Sequence, residues 1–345
     1  MSVDQRTTLL PTAQSEAGTE PLSSSGRRFR RFGDIDWISW SPIAAFIAIF
    51  VAFSILSPST FPTSSNMLGI LSDQSVLAIV TFGLTMVLVA GQFDLSVAGI
   101  FSLAGVLSAG LVSKNGWDPA VAVIVVVLMG AMIGCISGFF IAYIGVPSLI
   151  MTLGISTVLD GFTQWYSGGA VIANNIPNSF VSLGRSSIGN LELTAIYMAI
   201  LGVVLWGFLR YTPTGRRVQA IGGNRRAAWM AGVRVSRYTV LVFAIAGACY
   251  AFASVLQTAK NAAGDPSQGT AYLLPAFAAA FLGSVTLRRG EFHIIGSFVG
   301  VFLVAVFVNG LFLQGVAFWV QYLLTGLILI SAVAIPRLFA RESEF

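Results

Sequence analysis

The sequence has 345 residues, of which 56% are hydrophobic and 10% are charged, with a net charge of +5. Soluble chains average about 45 to 50% apolar and about 25% charged residues, so this composition excludes an ordinary soluble enzyme. The charged residues are clustered, and most uncharged stretches between them could cross a bilayer, which takes about 20 apolar residues. The sequence therefore predicts an all-α polytopic membrane protein.

The N-terminal segment, residues 1–36, is rich in Ser, Thr, Pro, Gln and Gly and lacks apolar periodicity. We expect it to be a disordered cytoplasmic tail. Four arginines between residues 27 and 31 precede the first apolar run, an arrangement that also fits a secretory signal. No small-residue cleavage site follows Leu56, so we treat that run as an uncleaved first span.

Turn-forming residues such as Gly145 and Pro147 divide the apolar runs of residues 37–336 into ten spans. Their approximate cores are 41–57, 67–90, 95–113, 119–144, 148–166, 191–210, 238–258, 271–286, 293–313 and 316–335. The longest of the loops between them is at about residues 211–237.

The basic residues predict the orientation, because cytoplasmic loops carry the excess of Lys and Arg. With ten spans and a cytoplasmic N-terminus, sixteen of the nineteen Lys and Arg residues lie inside. Only Lys114, Arg185 and Lys260 lie outside. Both termini are therefore predicted to be cytoplasmic, the C-terminal one as a short tail at residues 337–345.

Glycines recur every four residues at Gly130, Gly134 and Gly138, and again at Gly296 and Gly300. Small residues at this spacing let helix backbones approach closely. We expect tight packing inside the chain, with a dimer seam or a moving gate as the alternative.

Polar residues within or beside the spans are few, and each has a structural alternative. Residues 91–97 break the helix, and the side chains of Asp94 or Ser96 either cap the helix that follows or line a passage through the membrane. Ionisable residues in lipid are costly, so Asp160 is a candidate for the passage or a paired structural carboxylate. Asp73, Glu192 and His293 are expected to be solvated near span ends. The candidates for the translocation pathway are Gln92, Asp94, Ser96, Asp160 and Asn309.

Seven arginines lie from Arg210 to Arg237, and six of them are in the loop at residues 211–237. Gly222, Gly223 and Asn224 predict a turn and helix cap, residues 225–231 a two-turn helix with Trp229, and Gly232 its end. A loop whose only role was to set the orientation of the chain in the membrane would need arginines but not this capped helix. We therefore expect a docking helix, with a lipid-facing helix as the alternative.

Several chemistries are excluded by residue type. A phosphate-binding loop needs Lys between Gly and Ser or Thr, and neither Lys114 nor Lys260 has these neighbours. One histidine cannot satisfy a zinc-protease spacing, and Cys135 and Cys249 lie in apolar runs as small hydrophobic residues. The basic residues do not form a stacking surface for nucleic acid. No cofactor bound by this chain and no nucleic-acid partner are expected.

Four segments, in order along the chain, resemble the permease subunits of ATP-binding-cassette importers of the ribose, xylose and arabinose type. Residues 91–97 resemble the family's Gly-Gly-Ile-Asp-Leu-Ser-Val signature, with Gln92 and Phe93 replacing Gly and Ile. Residues 222–232 resemble its Gly-Gly-Asn-x-x-Ala-Ala-x-x-x-Gly coupling segment, and residues 269–283 and 309–311 resemble two later blocks. The resemblance runs from about residue 40 to 336. Leu274 and Pro275 depart from the third block, where the family often has acidic and aliphatic residues.

The resemblance implies a passage for a monosaccharide or small polyol in the bacterial inner membrane, formed by a permease homodimer or paired permease. It implies ATPase subunits that use ATP and Mg²⁺, and a periplasmic or lipid-anchored solute-binding protein. The implied ATPase-coupling residues are Gly222, Gly223, Asn224, Arg225, Arg226, Ala227, Ala228 and Gly232. The family often has acidic or polar residues at 225 and 226, so arginines here imply an acidic ATPase surface. The alternative function is an ion-coupled secondary transporter.

Overall fold

A computed structural model describes residues 37–285 and 290–341. The predicted N-terminal tail lies outside these residues, and of the predicted C-terminal tail only residues 337–341 are described, as the end of the last helix. The helices are α1 (Trp37–Leu56), α2 (Ser64–Val89), α3 (Val97–Ser113), α4 (Pro119–Phe139), a π-helical turn (Phe140–Ile144), α5 (Ser148–Ser167), α6 (Asn178–Arg185), α7 (Leu193–Tyr211), α8 (Pro213–Gly223), α9 (Arg225–Met230), α10 (Val235–Asn261), α11 (Thr270–Ser284), α12 (Ile294–Leu313) and α13 (Trp319–Arg341).

Each of the ten predicted spans falls on one helix, namely α1 to α5, α7 and α10 to α13. Within the described residues, five segments are long and apolar enough to cross a membrane: α2, α4 with its π-turn, α7, α10 and α12. Shorter apolar segments lie in α1, α3, α11 and α13. The helix α5 is in neither group, since Thr, Ser, Asp and Gln interrupt its apolar residues. The all-helical prediction is confirmed.

The core forms around α10, which packs against α4, α2 and α3. A Cβ atom placed on Gly134 would overlap the carbonyl oxygen of Phe243, and one on Gly130 would overlap that of Gly247. On the other side of the bundle, Gly300 of α12 meets the backbone of Ala279 in α11 in the same way. The glycine spacing thus serves close packing between helices of one chain, as expected.

Two parts of the fold were not predicted. Between α5 and α7 lie the short helix α6 and a hairpin of β1 (Ser187–Ile188) and β2 (Leu191–Glu192), which pair antiparallel with Ser187 opposite Glu192. The loop at 211–237 contains the eleven-residue helix α8 before α9. Gly222 and Gly223 are the last residues of α8, so the prediction that they form a turn is wrong.

Candidate functional site

The short helix α9 is fixed at both ends by its own residues. The Asn224 side chain accepts a hydrogen bond from the backbone N–H of Ala227 at 2.9 Å, which caps the N-terminus. At the other end Gly232 has φ +81°, and the N–H of Val233 reaches back to the carbonyl of Ala228 at 3.0 Å. This is a Schellman ending, which favours glycine in the left-handed region. The predicted cap and stop residues of α9 are thus both confirmed.

One side of α9 packs on the protein and the other is exposed. Ala228 is buried in a small cluster with Ile221 of α8 and Val235 of α10. On the exposed side Trp229 and Met230 are 69% and 67% exposed, beside Arg225, Arg226 and Ala227. Large exposed apolar side chains next to arginines are typical of protein interfaces. Sequence reasoning noted Trp229 but missed Met230, which follows it directly.

The two glycines that end α8 have different surroundings. A Cβ atom on Gly222 would overlap the carbonyl oxygen of Val89, the last residue of α2, and would lie 3.4 Å from the N atom of Gly91. A Cβ atom on Gly223 would meet nothing within 4 Å. The helix that leads into α9 therefore touches the end of α2 backbone to backbone, with no side chain between them.

This contact is at the start of the break between α2 and α3. The chain turns at Gly91, where φ is +70°. Asp94 is 1% exposed, and its carboxylate accepts hydrogen bonds from the Ser96 N–H at 2.9 Å and the Ser96 hydroxyl at 2.5 Å. The buried Tyr250 hydroxyl of α10 faces this carboxylate but makes no hydrogen bond of ordinary geometry within the described residues. The break is thus a compact polar turn inside the helical bundle.

Three hydroxyls of α5 hold the break. Ser148, Thr152 and Ser156, spaced four residues apart on one helix face, accept hydrogen bonds from the backbone N–H groups of Phe93, Leu95 and Gly99 at 3.3, 2.9 and 3.1 Å. The capping expectation is therefore wrong. Ser96 makes no side-chain cap, Asp94 bonds Ser96 rather than the helix interior, and α5 takes the free N–H of Gly99.

Of the other predicted pathway residues, one lies in this turn and two lie apart from it. Gln92 is half-buried in the break, whereas Asp160 is exposed on α5. The Asn309 amide pairs reciprocally with that of Asn66, at 3.0 and 3.1 Å, and so joins the end of α12 to the start of α2. Asn309 also lines a cavity of about 180 Å³ with Asp73 and Gln74. The five candidates do not form one cluster.

An ion-pair group at the end of the bundle far from α9 was missed. Lys260 at the end of α10 contacts Asp73 of α2 at 2.9 Å and Glu192 before α7 at 3.2 Å, and Ser72 bonds both Lys260 and Glu192. Asp73 and Glu192 are partly exposed, as expected, but they are paired. Residues this far apart in sequence carried no pattern that would have grouped them.

Comparison with known proteins gives consistent matches over nearly the whole chain. A family model described as branched-chain amino acid transport system / permease component matches residues 66–333. The ribose import permease protein of Bacillus subtilis is 34% identical over 320 residues, covering 92% of this chain and 98% of that protein. The galactose/methyl galactoside import permease protein of Haemophilus influenzae is 33% identical, with coverages of 88% and 95%. The D-allose transport system permease protein of Escherichia coli is 30% identical, with coverages of 88% and 93%. No solved structure matches the chain.

The apolar helices and the matches to permease components together identify a membrane permease. The chain belongs to the family of transport-system permease components that the family model describes. It is a multi-pass inner-membrane subunit of an ATP-binding-cassette importer of bacteria, and ATP is hydrolysed by a separate subunit. The expected ATPase and solute-binding partners follow from this family.

Proposed function

We propose that this chain forms the passage for a monosaccharide or similar small polyol, with α9 docked on an ATPase subunit that binds ATP and Mg²⁺. The observation that carries the proposal is the exposed face of α9, with Arg225, Arg226, Trp229 and Met230 on a helix fixed at both ends. A preorganised helix loses little conformational freedom on docking. The apolar pair would fill a pocket of the ATPase, and the two arginines would meet acidic groups at its rim.

A route from α9 into the membrane is supported by the contact at Gly222. Gly222 of α8 touches Val89 of α2 without an intervening side chain. Any movement of α8 toward α2 would therefore displace the end of α2. The break that follows is bound to α5 through Thr152 and its two neighbouring hydroxyls. ATP-driven movement of α9 would therefore change the position of α2 relative to α3 and α5. This change would shift the equilibrium between the passage open to the outside and the passage open to the cytoplasm.

The proposed topology has ten membrane spans and both termini on the α9 side. It is supported by the positions of the cations at the other end of the bundle: Lys114 follows α3, Arg185 ends α6 and Lys260 lies in the last turn of α10. The seven arginines from 210 to 237 lie at the α9 end. Such an asymmetry is typical of a cytoplasmic side at α9.

A paired permease is supported by the exposed face of α5. Thr157, Asp160, Gly161 and Gln164 are all exposed there. An ionised carboxylate facing lipid is costly, so this face is expected to meet water or another protein surface. We propose that α5 lines the passage between two permease chains, either two copies of this chain or this chain with a second permease. Asp160 would then lie beside the passage, as would the break with its residues Gln92, Asp94 and Ser96. Asn309 would lie toward the outer end of the passage.

The class of substrate is supported by the relatives. The proteins of 30 to 34% identity that cover most of the chain are named for ribose, allose and galactose import, whereas the family description names branched-chain amino acids. We give more weight to the relatives, because they match over almost the full length of both chains. Uptake of labelled ribose, allose, galactose and leucine by proteoliposomes with the cognate ATPase and binding protein tests this. Transport of leucine but of none of the sugars would refute the sugar proposal.

The coupling proposal is tested by reversing the charges of α9. In the variant Arg225→Glu with Arg226→Glu, we expect normal membrane insertion but loss of uptake and of ATPase stimulation. The matched control is Arg234→Glu with Arg237→Glu, which changes the net charge equally at exposed arginines outside α9. Equal uptake by the two double variants would remove the docking role of α9.

A further inference from the structure

A long groove lies on the surface of the bundle between α2, α7 and α12. Its volume is about 570 Å³, and its lining is apolar, including Phe82, Met198, Val203 and Phe298. The groove opens outward, since Val203 and Phe298 are 65% and 38% exposed. On a membrane-spanning chain this surface faces hydrocarbon, so a concave apolar channel here offers contact area to an acyl chain.

The groove continues into a polar mouth at the α9 end. A smaller cavity of about 140 Å³ shares Trp206, Ile294 and Ile295 with the groove and adds Arg210, Gln219 and His293. Arg210 is exposed and forms no ion pair within residues 37–285 and 290–341.

A second guanidinium contacts the end of α7. The Arg216 side chain donates a hydrogen bond to the carbonyl of Tyr211, the residue that follows Arg210, at 3.4 Å. Two cations thus lie at the end of α7, and Arg210 is part of the lining of the mouth.

Aromatic residues mark the depth of this mouth in the bilayer. The rings of Trp206 and Tyr211 pack edge to face with centroids 5.4 Å apart, and Tyr211 is 67% exposed. Trp and Tyr are enriched at the level of lipid headgroups. Arg210 lies between them in sequence, so this end of α7 has the composition of a membrane interface.

We propose that this groove and its mouth are a binding site for an anionic phospholipid of the inner leaflet. The guanidinium groups of Arg210 and Arg216 would bind the phosphate, since guanidinium matches phosphate geometry, and an anionic lipid is favoured because its headgroup carries no ammonium to offset the phosphate charge. One acyl chain would lie along α7 from Trp206 toward Ala195, a length of about 16 Å at 1.5 Å per residue. This matches one leaflet of a hydrocarbon core about 30 Å thick. The site is additional to the transport role and requires only that the α9 end be cytoplasmic.

Native mass spectrometry of the purified full chain, titrated with phosphatidylglycerol or phosphatidylcholine of identical acyl chains, tests the proposal. We expect the wild-type chain to retain phosphatidylglycerol more strongly. Arg210→Gln should weaken that binding about fivefold, the change expected from about 1 kcal/mol for each arginine near an anionic surface. Arg234→Gln, which removes an exposed arginine away from the groove, should leave it unchanged.

A second pair of variants tests the groove without affecting the core. Val203→Trp would occupy the groove and should weaken binding of both lipids, whereas Val204→Trp, at the next and 58% exposed position outside it, should not. Inorganic phosphate at the same concentration should not displace the lipid. The proposal would be overturned if the wild-type chain bound the two lipids equally or if phosphate displaced the lipid. It would also be overturned if the two arginine variants, or the two tryptophan variants, bound lipid identically.

Discussion

Replacing Gly222 by Ala should push α8, the helix that leads into α9, away from the end of α2. Heavy atoms in contact need about 3.5 Å, and a Cβ atom at this position falls short of that distance from the Val89 carbonyl oxygen by more than about 1 Å. The atom it meets is backbone, at the end of a buried helix, and cannot rotate away. Either α8 moves outward by about this distance or the end of α2 is displaced.

The expected cost is that of overpacking, about 1 to 3 kcal/mol. The strain depends on how closely α8 approaches α2, so it acts on one state of the transporter more than on the other. A bias of about 1 to 2 kcal/mol changes an equilibrium by a factor of about 5 to 30. We therefore expect uptake to fall by that factor, while ATP hydrolysis by the assembled complex continues with little response to substrate.

The matched control is Gly223→Ala, one residue further along the same helix. Its Cβ atom meets nothing within 4 Å, and alanine is the better helix former by about 1 kcal/mol. This variant should keep wild-type uptake. Both variants are measured in proteoliposomes by substrate uptake per ATP hydrolysed. If Gly222→Ala transports as well as Gly223→Ala, the contact with Val89 does not transmit coupling and the proposed route is wrong.

Three further pairs of variants test the packing of the helical bundle. Thr152→Val leaves a backbone N–H of the break without its acceptor and should cost about 1 to 3 kcal/mol, with uptake reduced, whereas Thr152→Ser keeps the acceptor and should restore both. Gly134→Ala, which collides with α10, should lower the thermal unfolding midpoint, and Gly207→Ala, with open space around it, should not; equal midpoints would contradict the packing argument. Lys260→Met should destabilise the bundle by about 1 kcal/mol, because two carboxylates lose their cation. Asp73→Asn should destabilise it less, because the Asp73 side chain is 69% exposed. A larger loss of stability in Asp73→Asn than in Lys260→Met would refute this interpretation of the ion pairs.

What the sequence could predict depended on local signals. Long apolar runs are enough to locate helices, and the caps of α9 were predictable because Asn224 and Gly232 act within a few residues of themselves. The helix α8 was missed because Gly222 and Gly223 resemble a turn. In the structure the glycine at 222 serves the approach to α2, a contact that exists only after folding.

The support of the break had a signal that was not used. Ser148, Thr152 and Ser156 recur at the four-residue spacing of one helix face, and hydroxyls in an apolar span must find partners. Their partners, the free N–H groups of a broken helix, were also visible in the sequence at residues 91–97. The Lys260 group had no such signal, since its members come from α2, β2 and α10 and meet only through the packing of those elements.

The hydrogen bonds of α2 constrain how the permease can move. At the end of α2 near α9, the Thr85 hydroxyl is hydrogen-bonded to the Ser297 hydroxyl of α12 at 2.6 Å. At the other end of α2, the Asn66 amide pairs with the Asn309 amide, which is also in α12. Because these bonds join α2 to α12 at both ends, we infer that the two helices move as one body. The start of α3 is bound to α5 instead, through the Gly99 N–H and Ser156. Phe93 and Leu95 are bound to α5 as well, so residues 90–92 connect the two bodies, and displacement at Gly222 would be absorbed there as a hinge rather than by bending α2.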